Sequence, residues 1–384
     1  MGAMKAPAVS QADHWRRLKA SLPRLARRHG TPLFVISKRL LVEQVRRFHR
    51  FLPRVEPFYA VKANPNPEIL KLLAARGLGF DVASAPEIDW VLEAGASPDR
   101  LIYANTQKQQ DAIAHARQRG VDLMTFDSES EIGKIAEQAP GVGVLVRIKV
   151  PNVGSVVELS LKFGCDPGDA VSLLKKAQAA GLRPRGVSFH VGSQCTHGSN
   201  YLEAFELVKI IMNDSALRGI PLEIVDIGGG FPIRYFDSDE DWFATMAPGL
   251  SFEMDRLFPP PVRLIAEPGR AIVGPAAILV TSVIGKSVRD GKQWYFLNDG
   301  VYGCLSGIIF DHAKYQFESL KDGPRQVSTL AGPTCDSLDI ISTSEELPEL
   351  EPGDQVIATS LGAYSIAHAT RFNGIPPAKA VVVP

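Results

Sequence analysis

The chain predicts an α/β protein: a closed barrel of eight parallel strands, plus a discontinuous, mostly antiparallel β domain. Three observations predict it. Eight strand-like runs alternate with helix-like runs through the middle of the chain. That rhythm stops near Gly274 and gives way to β-rich segments. One early strand, Leu33–Ser37, stands apart before the first barrel run. Strand–helix alternation implies parallel pairing through right-handed crossovers.

The strand runs are Val55–Val61, Gly79–Ala83, Leu101–Asn105, Leu123–Asp127, Val144–Ile148, Gly186–Val191, Ile224–Ile227 and Arg263–Ala266. The helical runs Pro67–Arg76, Ala85–Ala94, Lys108–Arg119, Ser128–Gln138, Asp169–Ala180, Tyr201–Arg218 and Trp242–Leu257 place apolar residues three and four apart. Gly77, Gly95, Gly120, Gly181 and Gly219 follow helix ends, where a left-handed residue is wanted. Asp127-Ser128 and Pro86-Glu87 are helix starts. This pattern predicts a (β/α)8 TIM-like barrel.

After Gly274, the segments Ala276–Ile284, Trp294–Leu297, Val327–Ala331, Gln355–Ala358 and Lys379–Val383 are β-rich with no long helices between them. Arg289–Lys292, Phe317–Arg325 and Ser344–Leu350 are expected to be polar connections. Leu33–Ser37 is expected to join the late sheet. The expected division is therefore 1–37 (N-terminal helix and strand joining the β domain), 38–274 (barrel) and 275–384 (β domain).

Composition narrows the function. The 384 residues carry zero formal net charge, 45% hydrophobic and 22% charged residues, which fits an ordinary globular protein. No clustered basic surface asks for nucleic acid, and no apolar run is long enough to span a bilayer. Cys165, Cys195, Cys304 and Cys335 lie far apart with no CxxC, so a reducing cytoplasm is expected. Met1-Gly2-Ala3-Met4 has the look of an expression scar, with Met4 as the natural start. The arginine-rich segment His14–His29 is an amphipathic helix rather than a presequence.

The candidate chemistry sits at the strand ends, the face where such barrels place their sites. Lys62, Asp81, Arg147, His190, Gly228-Gly229-Gly230 and Glu267 fall at or just after those ends. A glycine triplet exposes consecutive backbone N–H groups, which suits phosphate. Taken alone, Lys62 is a solvated lysine or a phosphate counter-ion; the functional alternative is a lysine that condenses with an aldehyde. Glu267 is either the ion-pair partner of Arg270 or a carboxylate beneath a pyridine ring. His190 is a core histidine or a ring that stacks on a cofactor. Asp81 and Arg147 are expected to form an ion pair. No HExxH or HxxEH spacing occurs and no metal is expected. Together these residues suggest a phosphate-bearing cofactor that needs an amine partner.

Nine motifs in order, running from about Thr31 to Pro384, resemble the fold type III pyridoxal-phosphate decarboxylases (alanine-racemase-like), in their ornithine or lysine/ornithine decarboxylase branch. They are Tyr59-Ala60-Val61-Lys62-Ala63-Asn64, Phe80-Asp81-Val82-Ala83-Ser84, Lys162-Phe163-Gly164, Ser188-Phe189-His190-Val191-Gly192-Ser193, Asp226-Ile227-Gly228-Gly229-Gly230-Phe231-Pro232, Glu267-Pro268-Gly269-Arg270, Asn298-Asp299-Gly300-Val301-Tyr302-Gly303, Gly332-Pro333-Thr334-Cys335-Asp336 and Gly362-Ala363-Tyr364. The resemblance implies pyridoxal 5'-phosphate as cofactor, joined to Lys62. It implies Glu267 at the pyridine nitrogen and His190 on the ring face. Ser193, Gly229, Gly230, Arg270 and Tyr364 would hold the phosphate, with Asp81 and Arg147 supporting the lysine side. Cys335 would reprotonate the carbanion; Asp311, Asp336 and Tyr302 would bind substrate, the two aspartates at its distal amine.

The implied reaction is decarboxylation of L-ornithine to putrescine, with L-lysine to cadaverine as a second substrate, in polyamine biosynthesis. The implied assembly is a homodimer with shared active sites. Diaminopimelate decarboxylase is the enzyme alternative, but it needs a cation where Asp311 offers an anion. Arginine decarboxylases of this fold are expected to be much longer. A catalytically silent regulatory homologue is the non-enzyme alternative. Phe310 and Gln194 stand where eukaryotic relatives carry tyrosine and glycine, departures that bear on substrate length.

Overall fold

The structure, a computed structural model, describes residues 11–156 and 161–384. The Met1–Met4 reading lies outside the described residues. The chain divides into two compact units. Among the described residues, one comprises those within 41–275 and 362–367, the other those within 11–40, 276–361 and 368–384.

Strand β1 (Leu33–Ser37) comes first and belongs to the second unit. The barrel follows as β2 (Val55–Ala60), β3 (Gly79–Val82), β4 (Leu101–Tyr103), β5 (Leu123–Phe126), β6 (Gly143–Arg147), β7 (Arg183–Ser188), β8 (Ile224–Asp226) and β9 (Arg263–Ala266). These eight pair in chain order, all parallel, and β2 closes on β9 with Val55 opposite Leu264 and Pro57 opposite Ala266. Their interior is packed: Phe58, Ile102, Leu123, Leu145, Ile224 and Ile265 form one buried cluster. Strands buried on both faces appear in sequence as continuous apolar runs, which is why all eight were legible. The five helix-end glycines adopt positive φ, from 75° at Gly77 to 97° at Gly95.

Two differences appear in this unit. The seventh strand is offset from the expected Gly186–Val191: β7 starts earlier, at Arg183, and ends at Ser188, so His190 lies in the following loop. The helix Lys38–Phe51 was not foreseen. It buries Leu40, Leu41, Val45 and Phe48.

The second unit holds β10 (Ala277–Arg289), β11 (Lys292–Leu297), β12 (Phe317–Ser319), β13 (Arg325–Ala331), β14 (Ile340–Pro348), β15 (Gln355–Ala358) and β16 (Lys379–Val383). Its sheet runs β12-β15-β10-β11-β13-β14, with β1 bridging β10 and β16. Pairing is antiparallel except for β1 with β16 and β11 with β13. Strands β12 and β14 replace segments expected to be polar connections. Both end the main path of the sheet, where one face and one edge are free to carry polar residues. The N-terminal helix Gln11–His29 lays Leu18, Leu22 and Ala26 against Leu33, Val35, Ile278 and Val280, as an amphipathic helix should. No described helix is long and apolar enough to cross a membrane.

Gly362–Ala367, expected in the late β domain, groups with the barrel instead. Backbone bonds hold it there: Gly362 N donates to Gly274 O (2.9 Å) and Tyr364 N to Ala63 O (2.9 Å). The Asn64 side-chain amide donates to Gly362 O (2.9 Å).

Candidate active site

Chain direction places the site. Each parallel strand releases its next residues at the same barrel end, so side chains far apart in sequence gather there. Lys62 lies in a short 3-10 turn, Val61–Ala63, directly after β2. Its side chain is 44% exposed, and its Nζ donates to Oδ2 of buried Asp81 at 2.5 Å. Desolvation lowers the Lys62 pKa, but Asp81, Glu267 and Tyr364 outweigh it and the net shift is upward. Asp81 therefore pairs with Lys62 and not with Arg147. The Arg147 guanidinium lies over the Phe163 ring at 5.0 Å, which corrects the expected Asp81–Arg147 ion pair.

Glu267 follows β9 and is buried, and its Oε1 has no hydrogen-bond partner. Burial, with Asp226 and Asp81 nearby, raises its pKa well above the usual carboxylate range. Oδ1 of Asp81 is likewise buried without a partner. Such orphaned oxygens are costly unless a further group meets them. His190 accepts at Nδ1 from Gly192 N (3.0 Å). Burial and the positive charges of Arg147 and Lys62 push its pKa well below 6.5, so the ring is neutral at pH 7.

The glycine triplet lies against Glu267 and His190, close enough that a Cβ at Gly229 would meet Glu267 O at 2.7 Å and His190 Nε2 at 3.0 Å. Gly228 and Gly230 have φ of 64° and 99°. Each peptide plane is set by its carbonyl: Gly228 O accepts from Glu267 N (2.8 Å), Gly229 O from Tyr201 (2.8 Å) and Gly230 O from Cys195 N (2.9 Å). In a trans peptide the N–H points opposite the C=O, so these bonds fix where the Gly229 and Gly230 N–H groups point. Arg270, buried, donates to Ser193 Oγ at 3.1 Å and to Tyr235 at 2.5 Å, and lies over the Tyr364 ring at 4.9 Å.

Three participants were missed. Glu87, on the helix Ala85–Glu93, accepts from Ala83 N (2.7 Å) and is pushed up to about 7, chiefly by burial. Asp226 accepts from Gly228 N (2.9 Å) and Ser188 Oγ (2.9 Å), and burial raises it to about 6. Tyr235 supports Arg270. The Ser84-x-x-Glu87 capping spacing was the available signal for Glu87; Asp226 opened a quoted motif but received no role.

In the β unit, Tyr302 donates to Asp336, whose other oxygen accepts from Leu338 N (2.9 Å). Cys335 is exposed, and its N donates to Asn373 Oδ1 (3.1 Å). Tyr302 stacks on Phe372 at 4.4 Å. Asp311 caps the short helix Gly307–Phe310. Phe310 is exposed with its ring edge-on to His368. The Gln194 side chain is committed to the Ile233 backbone.

Residues 38–274 match the family described as pyridoxal-dependent decarboxylase, pyridoxal binding domain. The chain belongs to that family. It is 41% identical over 369 residues to the lysine/ornithine decarboxylase of Selenomonas ruminantium, across 96% of this chain and 94% of that one. The crystal structure of SrLDC in complex with PLP and cadaverine matches with TM-score 0.88 and 40% identity, over 99% of this chain and 95% of that one. The arginine decarboxylase of Paramecium bursaria Chlorella virus matches with TM-score 0.90 and 34% identity, over 95% of this chain and all of that one. Chain length therefore does not separate this protein from arginine decarboxylases, contrary to expectation.

The residues fit the family's cofactor. An orphaned buried carboxyl oxygen, a lysine and an oriented glycine turn are the features a pyridine, an aldehyde and a phosphate would engage.

Proposed function

We propose that the chain decarboxylates L-ornithine to putrescine, and L-lysine to cadaverine as a second substrate, with pyridoxal phosphate held by the barrel unit. The observation that carries this reading is Lys62 hydrogen-bonded to buried Asp81 beside the unpartnered Oε1 of Glu267. Bound there, pyridoxal phosphate supplies an aldehyde to take up an α-amine and a ring that draws electrons from the α-carbon as carbon dioxide leaves.

Lys62 provides the anchoring amine and Asp81 holds its proton. Arg147 acts on the site through its charge, felt at His190 and Glu267. Glu267 holds a proton at the ring nitrogen, and neutral His190 offers a flat face for the ring. Arg270, Ser193, Gly229, Gly230 and Tyr364 take the phosphate. Cys335 delivers a proton to the α-carbon. Tyr302 lines the substrate pocket, and Asp311 and Asp336 receive the substrate's distal ammonium, an attraction that strengthens as water is excluded. The proposed assembly is a homodimer in which the β unit of one chain serves its partner's barrel. The proposed compartment is the cytoplasm, supported by four free cysteines.

The test offers ornithine, lysine, arginine and diaminopimelate side by side and quantifies the amines released. Ornithine and lysine should dominate, and Asp311→Ala should cut kcat/KM for ornithine by roughly tenfold or more while leaving cofactor affinity in place. Preference for diaminopimelate or arginine would overturn the substrate assignment. No turnover of any of the four with cofactor bound would point to a silent homologue.

A further inference from the structure

Gln194 has a left-handed backbone, with φ of 53°. That conformation is uncommon for a residue with a full side chain, and glycine would adopt it freely. Its side chain explains why glutamine is kept there. Oε1 accepts from Ile233 N at 2.7 Å and Nε2 donates to Ile233 O at 3.1 Å, a two-point amide clamp on one residue's backbone. Ile233 closes the segment that begins with the glycine triplet. One residue after Gln194, Cys195 N ties the middle of that segment through Gly230 O. One residue before it, Ser193 receives Arg270. The clamp thus joins the loop after β7 to the loop after β8 at the point where both present groups to one side of the site.

We propose that Gln194 is a positioning residue for phosphate: by clamping Ile233 it holds Ser193 at a fixed distance from the Gly229 and Gly230 N–H groups. This rests on the reading of that cluster as the phosphate site. The geometry moves Gln194 away from substrate length, the property its departure from glycine first suggested, and toward cofactor retention. A phosphate held by several donors needs all of them fixed together, because each donor that must be ordered on binding weakens the complex.

The test compares pyridoxal phosphate with pyridoxal, which lacks the phosphate, by equilibrium titration of the stripped enzyme followed by absorbance. Gln194→Gly removes the clamp and relieves the backbone. Gln194→Asn tolerates the left-handed backbone but is one methylene too short to reach Ile233. Both should raise the pyridoxal phosphate dissociation constant about tenfold and leave pyridoxal affinity within about twofold, as expected for loss of a net hydrogen-bond pair. If Gln194→Gly binds pyridoxal phosphate as tightly as wild type, or loses both ligands equally, the clamp role is overturned; should the glycine variant fail to fold, Gln194→Asn decides alone. Ser193→Ala, run in parallel, separates this from the underlying reading. If Ser193→Ala loses phosphate selectivity and Gln194→Gly does not, only the clamp fails. If neither does, the phosphate site itself is misplaced.

Discussion

The two ends of the barrel handle charge in opposite ways. At the N-terminal end, Glu56 on β2 accepts two bonds from Arg263 on β9, both 2.8 Å, and one from Arg100 ahead of β4 at 2.7 Å. The Arg263 hydrogen bond leads in bringing its pKa down to about 2. At the C-terminal end, four acids, Asp81, Glu87, Asp226 and Glu267, gather, and the charge of Lys62 acts on Asp81, Glu87 and Glu267. Glu87 is raised to about 7, Asp226 to about 6 and Glu267 well above the usual carboxylate range, in each case mainly by burial. One end carries matched, partly solvated pairs, and charge there supports folding. The other buries more carboxyls than it has cations to pair with, an arrangement that costs stability and marks where the chemistry is held.

The largest expected effect is at the crowded end. Lys62→Ala should lower kcat by roughly a thousandfold or more, since a group acting as part of a catalytic unit carries most of the rate. Borohydride reduction and peptide mapping should place the pyridoxyl label of wild type on Lys62. A label on Lys162 would break the assignment.

The shared-site proposal sharpens the comparison further, because it makes the crowded end depend on a second chain. Lys62→Ala and Cys335→Ala homodimers should each be nearly inactive. Equal mixing with subunit exchange makes half the dimers mixed, each with one intact site of two, so about a quarter of wild-type activity should return. Verified heterodimers with no recovery would refute sharing.

Two smaller effects should have opposite signs. The folded pKa of Glu87, about 7, lies above its ordinary value of 4.5, so the folded chain binds extra protons between those values. Stability from this group therefore falls as pH rises through that window. Glu87→Gln should remove the fall: equal to wild type below pH 4.5, more stable above 7, measured as urea midpoints across pH. Glu56 has the reverse linkage. Its folded pKa lies below 4.5, so its contribution is present above 4.5 and lost as pH falls toward 2. Glu56→Gln should cost about 1 kcal/mol at neutral pH, allowing for its exposure, and flatten the acid limb. If both substitutions shift stability in the same direction, the contrast between the ends fails.

Much of the site was legible because its markers are local. Lys62, the Gly228–Gly230 triplet and Glu267 each follow an apolar strand run, and the parallel topology that gathers them follows from the alternation itself. The roles of Glu87 and Asp226 were not legible, since a buried acid on a helix or strand looks ordinary until its neighbours are known. The Asp81 partner was misjudged for the same reason: Lys62 and Arg147 are both cations at strand ends, and only geometry chooses between them.

By itself the sequence determined the strand order, the helix ends and the residues able to do chemistry, because hydrophobic period and glycine punctuation act over a few residues at a time. The tertiary structure alone decided the rest. It returned Gly362–Ala367 to the barrel through bonds to Ala63 and Gly274, and committed Gln194 to Ile233. It also made carboxyls from β3, the helix Ala85–Glu93 and the turn after β9 share one lysine. A carboxyl's protonation sums desolvation and charge over every neighbouring strand, and no local pattern contains that sum.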